Sequence, residues 1–230
     1  MIICHELELI FLKTKKVGGT SFEIAFSSQC GPDCVITPIS PVDEATRQAL
    51  GYRGPQNHLQ TGLKGLFFPR RRVFTRHMAA DRVRKRLPAR VWNSYRKFTI
   101  VRNPFDRALS RYFWDVKRGR SEGLEFDEFF RRHPDRLTEN MRIAPLDGPD
   151  KIDFYLRYEH LEEDLAANDL GFLWGTFQGL RAKSGHRPSK GGTPAEMYSA
   201  HPDIAQLIAE VCRAEINRFG YEAPVQSQDA

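Results

Sequence analysis

Long apolar stretches are missing from this 230-residue chain. No run approaches the roughly 20 residues needed to cross a bilayer, so no membrane-spanning helix is expected. The first apolar run, residues 7–12, is interrupted by Glu8 and leads straight into Lys13 and the glycines. That is not the pattern of a secretory leader. A soluble, cytoplasmic protein is therefore expected, with no room for a membrane anchor. Cysteine is also scarce, with four in all. Cys4, Cys30, Cys34 and Cys212 show no zinc spacing, and Cys30 and Cys34 flank Gly-Pro-Asp with no His or Cys cluster nearby. Small, partly buried thiols in a reducing compartment are the expectation, and nothing in the sequence supports a Cys30–Cys34 disulfide. No internal repeat occurs, and no linker divides the chain.

What is present is ordinary in bulk: 40% hydrophobic and 28% charged residues. Length and composition predict one domain with a sizeable core over residues 1–223, followed by a polar, disordered tail over 224–230. The 35 Lys and Arg against 29 Asp and Glu give a formal charge of +6. That balance favours anionic partners, yet it fits nucleic acid, a nucleotide, a sulfated sugar or an acidic membrane surface equally well.

Along the chain, residues 8–13 read as a buried strand and residues 20–28 as the helix after it. Residues 35–39 suit a short strand, and residues 40–71 look irregular. Val73-Phe74-Thr75 reads as a strand stopping at Arg76-His77, with helices around 79–87 and 89–95. Residues 98–101 are apolar almost throughout, as in a strand covered on both faces. Asn103-Pro104 then opens a helix by the capping rules, with Gly119 as its stop. Residues 126–132 suggest a short helix and 152–158 a strand. Ile204, Leu207, Ile208, Val211, Cys212, Ile216 and Phe219 recur at helical spacing in one long helix ending at Gly220. Strands alternating with helices predict an α/β fold: a P-loop-like, three-layer arrangement with a central, mostly parallel sheet flanked by helices.

Two segments carry the chemistry. Residues 9–21, Leu-Ile-Phe-Leu-Lys-Thr-Lys-Lys-Val-Gly-Gly-Thr-Ser, and residues 98–112, Phe-Thr-Ile-Val-Arg-Asn-Pro-Phe-Asp-Arg-Ala-Leu-Ser-Arg-Tyr, each read as strand, basic turn, helix. Such a unit gathers backbone N–H groups, a helix N-terminus and cations around an anion. Two of them imply a ligand with phosphates at both ends. In the first, a nucleoside-triphosphatase loop would carry Lys beside the Ser or Thr that holds magnesium. Here Lys16 precedes Gly18-Gly19 and no Lys stands before Thr20. In the second, Arg102 ends a strand, where open α/β sheets bind ligands. Ser110 follows two turns into the helix, on the face of Arg107 and beside Arg111, so Arg102 and Ser110 can bracket one phosphate.

Together these strings resemble the sulfotransferases that use 3′-phosphoadenosine 5′-phosphosulfate (PAPS), most of all the carbohydrate group that includes the heparan sulfate 2-O enzymes and bacterial relatives. Lys13 and Lys16, Val17, Gly18, Gly19, Thr20 and Ser21 match the family's 5′-phosphosulfate loop, usually Pro-Lys-Thr-Gly-Gly-Thr-Ser. Lys15 stands where Pro is common, and Val17 where Thr is common. Arg102 and Ser110 match the 3′-phosphate pair. Residues 154–161 resemble a late strand-to-helix turn, and residues 183–192, with Arg187 and Lys190, a basic loop closing over the nucleotide. Residues 40–71 and 119–150 match poorly, and acceptor choice would reside there.

The resemblance implies in-line transfer of a sulfuryl group to an acceptor hydroxyl, a carbohydrate or glycoconjugate that can itself be acidic. Lys16 would meet the charge on the leaving 5′-phosphate, helped by Lys13, the loop N–H groups and the Thr20 and Ser21 hydroxyls, with no metal needed. His77 matches the position of a catalytic histidine that takes the acceptor's proton, with His58 in reserve. Two other readings compete. A nucleotide-dependent kinase would need a magnesium site and a lysine beside Thr20. A polyanion- or nucleic-acid-binding module would use Arg70, Arg71, Arg72, Arg82, Arg84, Lys85 and Arg86. An inactive family relative is a third reading, to which only Val17 points.

Overall fold

The computed structural model describes residues 1–59, 73–180 and 193–224. Its chain divides into two compact units: Met1–Val101 with Met141–Ala182, and Arg102–Asn140 with Lys183–Ala230.

The first unit is built on a five-stranded sheet. The strands are β1 (Ile2–Cys4), β2 (Leu9–Phe11), β3 (Val35–Ile36), β4 (Arg96–Val101) and β5 (Phe154–Arg157), in the order β3-β1-β2-β4-β5. The sheet is mixed rather than mostly parallel: β2, β4 and β5 run parallel, while β1 is antiparallel to both β2 and β3. The cause is a hairpin that the sequence reading missed. Residues 5–8 return the chain so that Ile2 lies opposite Phe11 and Cys4 opposite Leu9.

Strict alternation divides the sheet's two faces. Ile2, Cys4, Leu9, Phe11, Phe98, Ile100 and Leu156 face one way, against α1 (Gly19–Ser27), α8 (Leu161–Ala167) and α9 (Trp174–Gly179), through Phe22, Phe26, Leu161, Leu165 and Phe177. Ile3, Ile10, Leu12 and Val35 face the other way, against Phe74, Met78, α3 (Ala80–Arg84) and α4 (Ala89–Ser94). In this unit helices therefore cover both faces of the sheet. Phe11, Phe22, Phe26 and Phe98 form a ring cluster at its centre, with Phe98 stacked on Phe154 at 4.9 Å between centroids.

Two expectations for this unit fail. Residues 73–75 form no strand, because Val73 N and Phe74 N both donate to one carbonyl, that of His58 (2.9 and 3.1 Å), and no ladder continues. Nor are residues 40–59 wholly irregular, since α2 spans Pro41–Ala49. Its start was readable: Ser40 caps it by accepting from Asp43 N, with Pro41 in the first turn.

The second unit is helical: α5 (Pro104–Lys117), α6 (Phe126–Arg132), the start of α7 (Asp135–Ile143), α10 (Pro194–Ala200), α11 (Pro202–Val211) and α12 (Arg213–Phe219). Asn103 caps α5, its side chain accepting from Phe105 N at 3.0 Å. Phe105, Tyr112, Phe126, Phe129, Phe130, Tyr198 and Ile208 fill the core. The single long C-terminal helix is in fact two, broken at Cys212 (φ −100°, ψ 14°). Beyond the break, the buried Glu215 carboxylate pairs with the buried Arg107 guanidinium. Gly220 ends α12 in the left-handed region, as its position predicted.

Candidate functional site

The loop between β2 and α1 starts at the C-terminal end of a parallel strand, and three hydrogen bonds tie that end to β4. Leu12 N donates to Phe98 O (2.9 Å), the Thr99 hydroxyl to Leu12 O (2.6 Å) and the Thr14 hydroxyl to Ile100 O (2.7 Å), with the two hydroxyls 3.3 Å apart. Neither threonine stood out in the sequence. Thr99 is one β-branched residue in an apolar run and Thr14 stands among lysines, so only the contact between them across the sheet reveals their role.

From this anchored base the loop makes two left-handed steps, at Lys16 (φ 63°) and Gly18 (φ 74°). A non-glycine residue rarely adopts that conformation, and such outliers collect at functional sites. Gly18 is held for a second reason: a Cβ on it would lie 2.7 Å from a ring carbon of Tyr158, the residue after β5. Tyr158 thus closes one side of the loop, a partner that sequence reasoning missed. Helix α1 then begins with no side-chain cap, so its first N–H groups look into the loop.

Each predicted residue of this loop has a definite place. Lys13 is buried beneath it, its ammonium donating to the Thr20 hydroxyl (3.0 Å) and pairing with the Glu23 carboxylate. It braces the loop from below rather than facing outward. Val17 is fully buried in the core, so only its backbone can serve a ligand. Lys16, Gly18, Thr20 and Ser21 are partly exposed, and the Ser21 hydroxyl donates to Leu180 O at 3.2 Å. Gly19 is buried, because its α-carbon lies against the Lys13 side chain.

Under the loop, Glu23 is wholly buried and also meets the chain's first amino group, which reaches the Thr37 hydroxyl at 2.9 Å. Burial alone would raise the Glu23 pKa. The Lys13 ammonium and the amino group overcome it and hold the carboxyl down to about 2.

His77 lies at this same loop, with Nδ1 2.9 Å from Lys13 O. A carbonyl only accepts, so Nδ1 carries the proton in that bond, and the neutral ring presents Nε2 as a lone pair. Burial lowers the His77 pKa to about 3, the Lys13 carbonyl opposing and the cations Lys13 and Lys15 adding to the fall. The reserve candidate, His58, contributes its backbone carbonyl to the clamp on residues 73 and 74.

In the second unit Arg102 is partly buried, and its Nε donates to the Asp106 carboxylate at 2.9 Å. Ser110, partly exposed, lies one turn beyond Asp106 on the same face of α5. Its two basic neighbours serve the fold instead. Arg107 pairs with Glu215 and Arg111 with Asp115 and Glu139. Arg107, three residues before Ser110 on α5, is buried in the core, whereas Ser110 stays partly exposed. Arg187 and Lys190 lie outside the described residues, as do Arg70, Arg71 and Arg72. Of the remaining basic cluster, Arg84 and Lys85 are paired with Asp150 and Asp81.

The family model of the sulfotransferase family matches residues 1–222. A protein of Archaeoglobus fulgidus described as an uncharacterized protein is 33% identical over 92 residues, which are 39% of this chain and 77% of that relative. No solved structure matches the chain.

Proposed function

Since the chain belongs to the sulfotransferase family, and so transfers sulfuryl groups, we propose that its donor is PAPS and its acceptor a hydroxyl of a carbohydrate or glycoconjugate. The observation that carries this reading is the loop between β2 and α1. It holds one lysine, Lys16, in a left-handed step at an uncapped helix start, on a base tied down by Thr14 and Thr99.

The transfer is an in-line displacement. The acceptor oxygen forms a bond to sulfur as the bond from sulfur to the 5′-phosphate oxygen breaks, and that oxygen keeps the electron pair. Lys16 and the first N–H groups of α1 meet the charge that develops there, a preorganised electrostatic contribution. The Thr20 hydroxyl accepts from Lys13, which leaves its own proton free to point at the phosphate. Lys13 itself positions the loop. His77 takes the acceptor's proton at Nε2, its Nδ1–H held by Lys13 O. Arg102, oriented by Asp106, and Ser110 bind the 3′-phosphate, and Arg187 and Lys190 add donor-binding cations. No step calls for a metal.

Transfer of labelled sulfuryl groups from PAPS across a glycan panel tests the reaction. Titration calorimetry with the product 3′-phosphoadenosine 5′-phosphate tests the donor site. Lys16→Ala should lower turnover by roughly 10²–10³-fold while product affinity changes little, and Arg102→Ala should do the reverse. Unchanged affinity in Arg102→Ala would overturn the 3′-phosphate assignment.

A further inference from the structure

Three of the four cysteines, far apart in the sequence, meet at one end of the sheet. Cys4 ends β1, Cys30 follows α1 and Cys34 precedes β3, and their three sulfur atoms all lie within 4.8 Å of one another. All three are buried and none is in a disulfide. A carboxylate lies beside two of them. Glu6 is otherwise exposed, yet its Oε2 turns back to within 2.6 Å of Cys34 Sγ and 3.6 Å of Cys4 Sγ.

The surroundings fit a built site. The turn between Cys30 and Cys34 is clamped by two amide side chains. Gln56 Nε2 donates to Gly31 O (2.6 Å) and Cys34 O (3.0 Å), and Asn57 Nδ2 donates to Pro32 O and Cys34 O, each at 2.9 Å. Its carbonyls are thereby satisfied and its two thiols held inward. His5 N donates to Cys34 Sγ at 3.2 Å, the kind of amide bond that supports a sulfur ligand. Gly31 leaves the space the carboxylate uses, since a Cβ there would fall 1.7 Å from Glu6 Oε1. Buried thiols serving only as small hydrophobes need neither a carboxylate among them nor a clamped turn.

We propose that Cys4, Cys30, Cys34 and Glu6 form a structural zinc site. Three sulfurs and one carboxylate oxygen suit tetrahedral Zn²⁺, whose bonds run about 2.3 Å to sulfur and 2.0–2.2 Å to oxygen. Binding releases the three thiol protons, and the site closes with four protein ligands. The metal clasps the end of α1 to the β1–β2 hairpin and to β3. The loop that starts α1 lies at the helix's other end, nine residues away, so the ion braces the helix and takes no part in sulfuryl transfer.

Metal analysis of the full chain, purified without chelator and with any affinity tag removed, should find about one zinc per chain. Replacement by cobalt(II) should give the intense near-ultraviolet band of thiolate coordination. Cys30→Ser should abolish both. Because that variant can misfold, Gly31→Ala is the gentler test: its methyl displaces only the end of the Glu6 side chain. It should weaken zinc binding by roughly 10–100-fold or more with an unchanged circular dichroism spectrum. Three outcomes would overturn the proposal: a folded protein with reduced thiols that holds neither zinc nor cobalt at micromolar concentration, a disulfide between two of these cysteines in the protein as isolated, or metal that survives Cys30→Ser.

Discussion

Glu23 is the residue on which the loop between β2 and α1 rests. Its carboxyl is held down to about 2, whereas in the unfolded chain it titrates near the ordinary 4.5. As pH falls the unfolded state therefore takes up the proton first, so this stabilisation is complete above about pH 4.5 and is lost as pH falls towards 2. Glu23→Gln keeps the shape but leaves the Lys13 ammonium buried without its anion, which should cost about 3–5 kcal/mol at pH 7 in urea unfolding. The gap between variant and wild type should narrow in acid, and a gap that stayed constant down to pH 2.5 would refute the charge account. His77 gives a second prediction at this scale. With its pKa lowered to about 3, the imidazole is already neutral across the working range. Its protonation should put no acid limb near pH 6.5 in kcat/KM, which should stay level from pH 8 down to about 5. His77→Ala should lower turnover by roughly 10²–10⁴-fold, and near-native activity would remove it as the base. That His77 was a candidate came from its place in the chain. That it carries its proton on Nδ1 came only from the contact with Lys13 O.

Among the elements, the β2–loop–α1 unit was the most legible, because a buried apolar strand, two glycines and a helix starter are all local signals. Its inner bracing was not. Tyr158, just after β5, and Thr99, in β4, reach the loop from more than 75 positions away in sequence. Gly18→Ala tests that bracing, since the new methyl meets both a left-handed backbone and the Tyr158 ring. The backbone part alone should cost about 1–2 kcal/mol. Adding Tyr158→Ala should recover only the steric remainder, and full recovery in the double variant would mean that the conformation of residue 18 carries no strain. In the second unit the Asn103 cap was read correctly from its Asn-Pro signature, and Asn103→Ala should lower stability by about 1 kcal/mol in urea unfolding. The elements misread are those whose partners are distant: the strand expected at 73–75 is a clamp on one carbonyl, and the helix expected through Cys212 breaks there, ahead of the Glu215 that pairs with Arg107.

At the scale of the molecule, the +6 charge favours anionic ligands without choosing among them, and the loop makes the choice testable. Gly19 stands where a magnesium-nucleotide loop would carry lysine, so sulfuryl transfer should proceed undiminished without magnesium. Consumption of ATP that depended on magnesium would favour the kinase reading instead. The sequence by itself determined the family, the position of the loop, the helix that follows it and the candidate lysine, histidine and arginine. All of these are written in residues near one another, where spacing and capping act directly. Only the tertiary structure decided that the sheet is mixed, that Lys13 is buried beneath the loop against Glu23, that Arg107 and Arg111 are buried in ion pairs, and that three scattered cysteines converge beside Glu6. Those outcomes depend on which buried charges and thiols find partners across the fold, and the energy of burying a polar group is settled by neighbours that local sequence does not name.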